Sequence, residues 1–331
     1  MTERENLMRV FNGLTPAWLP EASRSMAWIG KFTMDLERPH MKEGYDWFGV
    51  HWLPQNALGG IVTHPDINQS PPLDDITCWK EQICFPDLDA LDWEALKSDV
   101  EKELEGLDGR LPFFMLEHGA FERLTLLMGY EEGLVSLITE PEACREYAEA
   151  MADFKIALFD RVYALAPYEL VIYQDDLGTG TGPLISVGTY REIFKEPLRR
   201  VVEHVHAAGC LFGYHSCGCM EAFMDDLLDV GIDMINPVQT CNNQMSFKEK
   251  YGNRVVIHGG INNQEITDCP YPEESAVRAE LRRAVDTLAP GGRFILEIRR
   301  QKMAANGLDV PAILHDEFDR YTAGYYQKPI E

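Results

Sequence analysis

The sequence predicts an α/β protein built as a single (β/α)8 TIM barrel with an irregular N-terminal elaboration, and three observations carry that prediction. From about residue 110 onward, short apolar segments alternate with longer amphipathic ones, the pattern of parallel strands joined by helices. Most of the apolar segments lack polar alternation, as strands buried on both faces do. No glycine-rich phosphate loop of the dinucleotide-binding type follows an early strand, which disfavours an open doubly wound sheet.

Taken in order, residues 1–110 form the elaboration, rich in Trp, Pro and Asp and expected to lie over one barrel face, and residues 111–331 supply the main barrel units. Strands are expected at Leu111 to Leu116, Leu170 to Gln174, Cys210 to Tyr214, Ile232 to Ile235, Arg254 to Ile257 and Arg293 to Leu296. Helices are expected at Pro141 to Leu165, Thr189 to Ala208, Met220 to Asp229 and Glu273 to Leu288. Pro141 suits a first helical turn, and Gly209 and Gly231 stand where helices stop. No repeat or low-complexity linker divides the 331 residues, so one domain is expected.

Composition narrows the function. Hydrophobic residues make up 45% of the chain and charged residues 25%, enough for a substantial core. A net charge of -24 repels both the nucleic-acid backbone and an anionic membrane, so neither is expected as a partner. The charged start has no secretory h-region and no apolar run approaches the ~18 residues of a membrane span, so a cytoplasmic protein is expected. The eight scattered cysteines then read as reduced thiols.

Polar residues collect where the predicted strands end, which in a barrel of this kind is the catalytic ring. Glu117 and His118 follow the first strand, Asp175 and Asp176 the second, and His215-Ser-Cys217 the third. Asn236 with Gln239, then His258, then Glu297 follow the later ones. In extended chain His215 and Cys217 point to the same side, and imidazole and thiolate are preferred zinc donors. A buried thiol beside a hydrogen-bonded histidine is the competing interpretation.

A catalytic zinc needs about three protein ligands. Glu297 is favoured as the third, with Asp175, Asp176, Glu117 and Cys219 as alternatives. One carboxyl among Asp175, Asp176 and Glu117 could donate a proton if burial raises its pKa, although an Asp after a strand commonly caps the next helix. Trp47, Phe48, Phe114 and Tyr173, with Trp52 and Phe113, could line an apolar substrate pocket, or simply pack in the core. Gln239 and His258 are further candidates for substrate contact.

Several segments give the chain a family resemblance. Arg4-Glu-Asn-Leu-Met-Arg-Val-Phe-Asn-Gly13, His215-Ser-Cys-Gly218, Gly231-Ile-Asp-Met-Ile-Asn-Pro-Val-Gln239 and Val256-Ile-His-Gly-Gly260 resemble motifs of the uroporphyrinogen decarboxylase superfamily, within it the corrinoid-dependent methyltransferases. Asp46-Trp-Phe-Gly49 and Asp175-Asp-Leu-Gly-Thr179 resemble the branch that demethylates aryl methyl ethers. The resemblance implies a zinc enzyme passing methyl from a small methoxylated substrate to the cobalt of a separate corrinoid-binding protein, with homodimerisation left open.

Two departures bear on the alternatives. The arginine-rich motif of the parent decarboxylase is missing around Thr15-Pro-Ala-Trp-Leu-Pro20, and Gly291 to Arg300 lacks the distal cysteine of the thiol-methylating relatives. A metal-free decarboxylase or lyase, a methylcobamide:thiol methyltransferase and a non-catalytic corrinoid- or metal-binding protein remain as other interpretations.

Overall fold

In the computed structural model, which describes residues 1–57, 60–299 and 303–327, strands occur at β1 Met26–Trp28, β2 Gly44–Tyr45, β3 His51–Ala57, β4 Gly60–Pro65 and β5 Leu111–Leu116. They continue with β6 Leu170–Gln174, β7 Leu211–His215, β8 Met234–Val238, β9 Val256–Gly259 and β10 Phe294–Leu296. Seven of them form one parallel sheet in the order β1-β5-β6-β7-β8-β9-β10. The sheet curls, and its last strand meets the segment that precedes its first. Leu296 pairs in parallel with Glu21 through one bridge, and its amide donates to the Pro20 carbonyl at 3.0 Å. The fold is therefore the predicted α/β barrel type. Where eight strands were expected, the described residues hold seven plus this bridge, because the one-turn helix Ala22–Ser25 interrupts the chain between Glu21 and β1.

Strands β5 and β6 match the expected bounds to the residue, and the others shift by one to three residues. The helix expected over Thr189 to Ala208 is two, Val187–Ile193 and Lys195–Ala207. Pro197 lacks the N–H that would bond the Ile193 carbonyl, and the break falls there. The second of the two buries Leu198, Val201, Val202 and Val205, a helical stripe facing the sheet.

The N-terminal hundred residues do three separate things instead of covering one face. Helix Glu3–Phe11, held by a reciprocal Thr2–Glu5 capping box, sends Leu7, Val10 and Phe11 into a cluster with Met26, Leu111, Leu170, Met234, Val256 and Ile295. Those partners lie at or near the N-terminal ends of their strands, so the helix plugs the bottom of the barrel. Residues 26–28 are themselves the barrel strand β1. The antiparallel sheet β2-β3-β4 joins the outer helical core through Phe48, Val50 and Trp52. No described helix is long and apolar enough to cross a membrane.

Candidate metal centre at the barrel mouth

Alternation along the barrel strands decides which side chains reach the lumen. Leu170 and Ile172 of β6 join the inner cluster, whereas Val171 and Tyr173 join the outer one. The same parity places Phe113 and Met115 inward and Phe114 outward on β5. On β7 it brings His215 to the top of the lumen, paired in register with Asn236 of β8. His215 Nδ1 lies 2.6 Å from Asn236 Oδ1, and Asn236 Nδ2 lies 2.9 Å from Nδ1 of His258 on β9. Three neighbouring strands are thereby linked side chain to side chain.

Beyond His215 the chain turns sharply at Gly218, whose φ of +85° is easy only for glycine. A Cβ there would stand 2.4 Å from the Gly178 carbonyl carbon, and one on Gly178 would stand 2.7 Å from the Cys217 carbonyl oxygen. The two loops therefore pack backbone against backbone, joined by the Cys219 amide donating to the Thr179 carbonyl at 2.8 Å. Gln239 braces the turn by accepting from the Gly218 amide at 2.7 Å, and Asn242 donates to the Gly218 carbonyl at 2.9 Å.

This packing brings Asp176 to the His215–Cys217 pair. Asp176 Oδ1 accepts from the Cys217 amide at 2.8 Å, and Cys217 Sγ stands 3.9 Å from His215 Nε2. Ligand atoms of Asp176, His215 and Cys217 lie within 4.8 Å of one another, all three residues being half-buried. Nitrogen, thiolate and carboxylate oxygen at this spacing suit a tetrahedral zinc that keeps one position open. Burial and the Asp176 carboxylate push the Cys217 thiol up to about 12, so it ionises only beside a cation. Glu297, the expected third ligand, stays outside this group. It borders the same cavity and acts on Cys217 only at longer range.

The carboxylates sort into different environments. Asp175 is buried and accepts from the Glu122 and Phe121 amides at 2.7 and 3.3 Å, capping helix Ala120–Met128 of the preceding βα unit. Its carboxyl is pushed up to about 7 by burial, partly offset by those amides. Glu117 is also raised to about 7 by burial, with Arg38 Nε at 3.3 Å acting the other way. Glu122, which the sequence did not single out, is held well above the usual carboxylate range by burial and then by Asp176 and Asp175. Its Oε2 has no hydrogen-bond partner among the described residues.

Behind Glu117 lies a buried ionic cluster. Arg123 reaches Asp46 at 2.6 Å and Glu37 at 2.5 Å, and Lys155 contacts Glu37 and donates to the Glu117 carbonyl at 2.5 Å. Asp46 also accepts from the Phe48 and Val50 amides and from Trp52 Nε1. The Asp46-Trp-Phe-Gly49 segment is thus a structural hub tying the small sheet to the barrel.

The aromatic expectations are corrected by the same parity. Phe114 packs outward against Phe159 and Tyr168, and Tyr173 turns outward, its hydroxyl accepting from the Ala120 amide. Trp47 and Phe48 pack on Phe154, away from the lumen. The cavity of about 680 Å³ that borders His215, Asn236, His258 and Glu297 is lined instead by Trp28, Phe113, Met115 and Ile172 together with the charged Lys31, Glu103, Arg110 and Arg299. Trp28 and Phe113 stack at a centroid distance of 6.2 Å. Of the predicted substrate contacts, Phe113 and His258 line it, whereas Trp52 and Gln239 do not.

Fold and site together define a parallel-barrel protein with a cation-competent mouth over an aromatic cavity. A model of the family described as uroporphyrinogen decarboxylase (URO-D) matches residues 94–298, more than half of the chain, and the chain belongs to that family. Among solved structures it is similar to a methyltransferase from Methanosarcina mazei, at 12% identity and a TM-score of 0.65, covering 97% of this chain and 99% of that one. That likeness shows a shared fold over nearly the whole length. An L-ribulose 3-epimerase matches at 10% identity and a TM-score of 0.40, covering 75% of this chain and 87% of that one. A sugar phosphate isomerase/epimerase from Parabacteroides distasonis matches at 13% and 0.35, covering 72% and 78%. No curated protein sequence matches the chain.

Proposed function

We propose that this protein is a zinc-dependent methyltransferase that takes the methyl group of a methoxylated aromatic compound and delivers it to the cobalt of a corrinoid-binding protein. The observation that carries the proposal is the Asp176–His215–Cys217 trio, whose His215 borders a cavity lined in part by Trp28, Phe113, Met115 and Ile172. The methyltransferase fold of the Methanosarcina mazei protein supports the same reading.

His215, Cys217 and Asp176 would hold the zinc, which when bound supplies a Lewis acid for the ether oxygen. Asn236 Oδ1 can only accept, so His215 carries its proton on Nδ1 and turns the Nε2 lone pair toward Cys217. Trp28, Phe113, Met115 and Ile172 would hold the ring. Glu122, whose carboxyl burial and then Asp176 hold well above the usual carboxylate range, would be the proton donor to the departing phenolate oxygen. It takes the role that the sequence suggested for Asp175 or Glu117, whose carboxyls are occupied by a helix end and by Arg38.

The test is elemental analysis of purified protein, wild type beside Cys217→Ala, followed by methyl transfer from methoxylated aromatics to a reduced corrinoid, read as the loss of cob(I)alamin absorbance. About one zinc per chain in wild type, lost in the variant together with transfer, is the expected result. Transfer that survives exhaustive chelation would instead favour metal-free chemistry by the carboxylates.

A further inference from the structure

Two thiols meet at the rim of the barrel, next to the metal trio but outside it. Cys219 follows the Gly218 turn on the loop that leaves β7, and Cys241 lies on the loop that leaves β8. Hydrogen bonds clamp these loops together. The Gly218 amide donates to Gln239 Oε1 at 2.7 Å, Asn242 Nδ2 to the Gly218 carbonyl at 2.9 Å, and the Met220 amide to Asn242 Oδ1 at 2.8 Å. Asn242 is buried, so water does not compete for its bonds.

The clamp fixes the backbone on either side of both cysteines. Cys219 Sγ lies 3.5 Å from the Cys241 carbonyl oxygen, and Asn242 Nδ2 lies 3.8 Å from Cys241 Sγ. The Cys219 thiol also acts on the Cys241 thiol through a side-chain hydrogen bond. Cys241 is exposed and Cys219 half-buried, so one sulfur is open to a reagent while the other stands behind it. Cys144 and Cys210, by contrast, are buried in the outer core. The methyl transfer proposed above uses neither Cys219 nor Cys241.

We infer that Cys219 and Cys241 form a reversible disulfide that staples the β7 and β8 loops beside Cys217. With hydrogen peroxide as the oxidant, one thiol sulfur attacks a peroxide oxygen, the O–O bond breaks, and a sulfenic acid and one water result. The second thiol sulfur then attacks the sulfenic sulfur, forming the S–S bond and releasing the hydroxyl as a second water. The two thiols give up two electrons and two protons, and the peroxide takes up both. A dithiol reductant reverses the change by exchange. The staple adds a covalent restraint where hydrogen bonds alone now hold the turn that carries Cys217.

Burial and the neighbouring Cys219 push the Cys241 thiol up to about 11, which slows its reaction near neutral pH. The experiment therefore treats the full chain with one equivalent of hydrogen peroxide at about pH 8.5, with the exposed Cys84 as the internal reference for unassisted oxidation. Free thiols in the denatured chain are expected to fall from eight to six and to return to eight with dithiothreitol. Mass spectrometry after cleavage at Glu221, which separates the two cysteines, is expected to place the link between them. Cys219→Ser and Cys241→Ser, both nearly isosteric, each abolish it. Hydrogen exchange at the Gly218, Cys219 and Met220 amides is expected to slow several-fold in oxidised wild type and to stay unchanged in peroxide-treated Cys241→Ser. The inference is overturned if Cys84 oxidises while the pair stays reduced, if the link joins another cysteine or a second chain, or if exchange in the linked protein is not slowed. None of these readouts involves zinc or a corrinoid, so the result stands apart from the proposed methyl transfer.

Discussion

Replacing Lys155 by Met tests how the small N-terminal sheet is fastened to the barrel. Lys155 is fully buried, contacts Glu37 and donates to the Glu117 carbonyl. Burial alone would raise the Glu37 carboxyl, but Lys155 and Arg123 outweigh it and hold it well below the usual range. Methionine fits the space and removes the charge, leaving Glu37 dependent on Arg123, which Asp46 also claims. Breaking a buried pair by removing one partner costs about 3–5 kcal/mol, out of a total stability of about 5–15 kcal/mol. Urea denaturation followed by circular dichroism should show that loss, and 1 M salt should not reproduce it because the pair is shielded from solvent ions. Adding Glu37→Gln removes the stranded charge and should recover part of the loss. A loss below about 1 kcal/mol, or a double variant less stable than Lys155→Met alone, would refute the argument that this cluster acts as one buried unit.

Three further outcomes are expected. Asp176→Asn should lower bound zinc well below one per chain while Glu297→Gln retains it, as measured by elemental analysis; the opposite pattern would restore Glu297 as the ligand. Gly218→Ala should disrupt the loop pair and abolish zinc retention with little effect on barrel helicity, since its Cβ would meet Gly178 and Thr179 at 2.4 to 2.6 Å on a φ of +85°. For pH, Glu117 is protonated in the folded chain up to about 7 but ionises near the usual carboxylate value when unfolded, so the unfolded chain binds fewer protons between those limits. Its contribution is full below the unfolded value and is lost as pH rises through about 7; Glu117→Gln should flatten that decline in denaturation midpoints. Glu37, with its depressed pKa, acts oppositely, its contribution being present above the unfolded value and lost as pH falls further.

The barrel type and the heart of the site were written in local patterns. Leu111–Leu116 and Leu170–Gln174 are short apolar runs with clear stops, and they formed strands at those bounds. His215 and Cys217 stand two apart at a strand end, a spacing that survives whatever surrounds it. What the linear chain could not reveal was the facing of the strands. A strand buried on both sides has no polar alternation to mark its inner face, so Phe114 and Tyr173 looked as suitable for the cavity as Phe113 and Ile172. Nor could it reveal contacts between distant segments. Asp176 joined the metal trio because Gly178 and Gly218 let two loops touch, and Asp175 capped a helix more than fifty residues away, which no local capping rule anticipates. Glu122 offered no signal at all, since a glutamate in a first helical turn is ordinary until folding places it beside Asp176. Sequence alone determined the barrel and the spacing of the His–Cys pair because short-range periodicity encodes them; the carboxylate that stands beside that pair and the cavity wall were decided by the close approach of residues far apart in the chain.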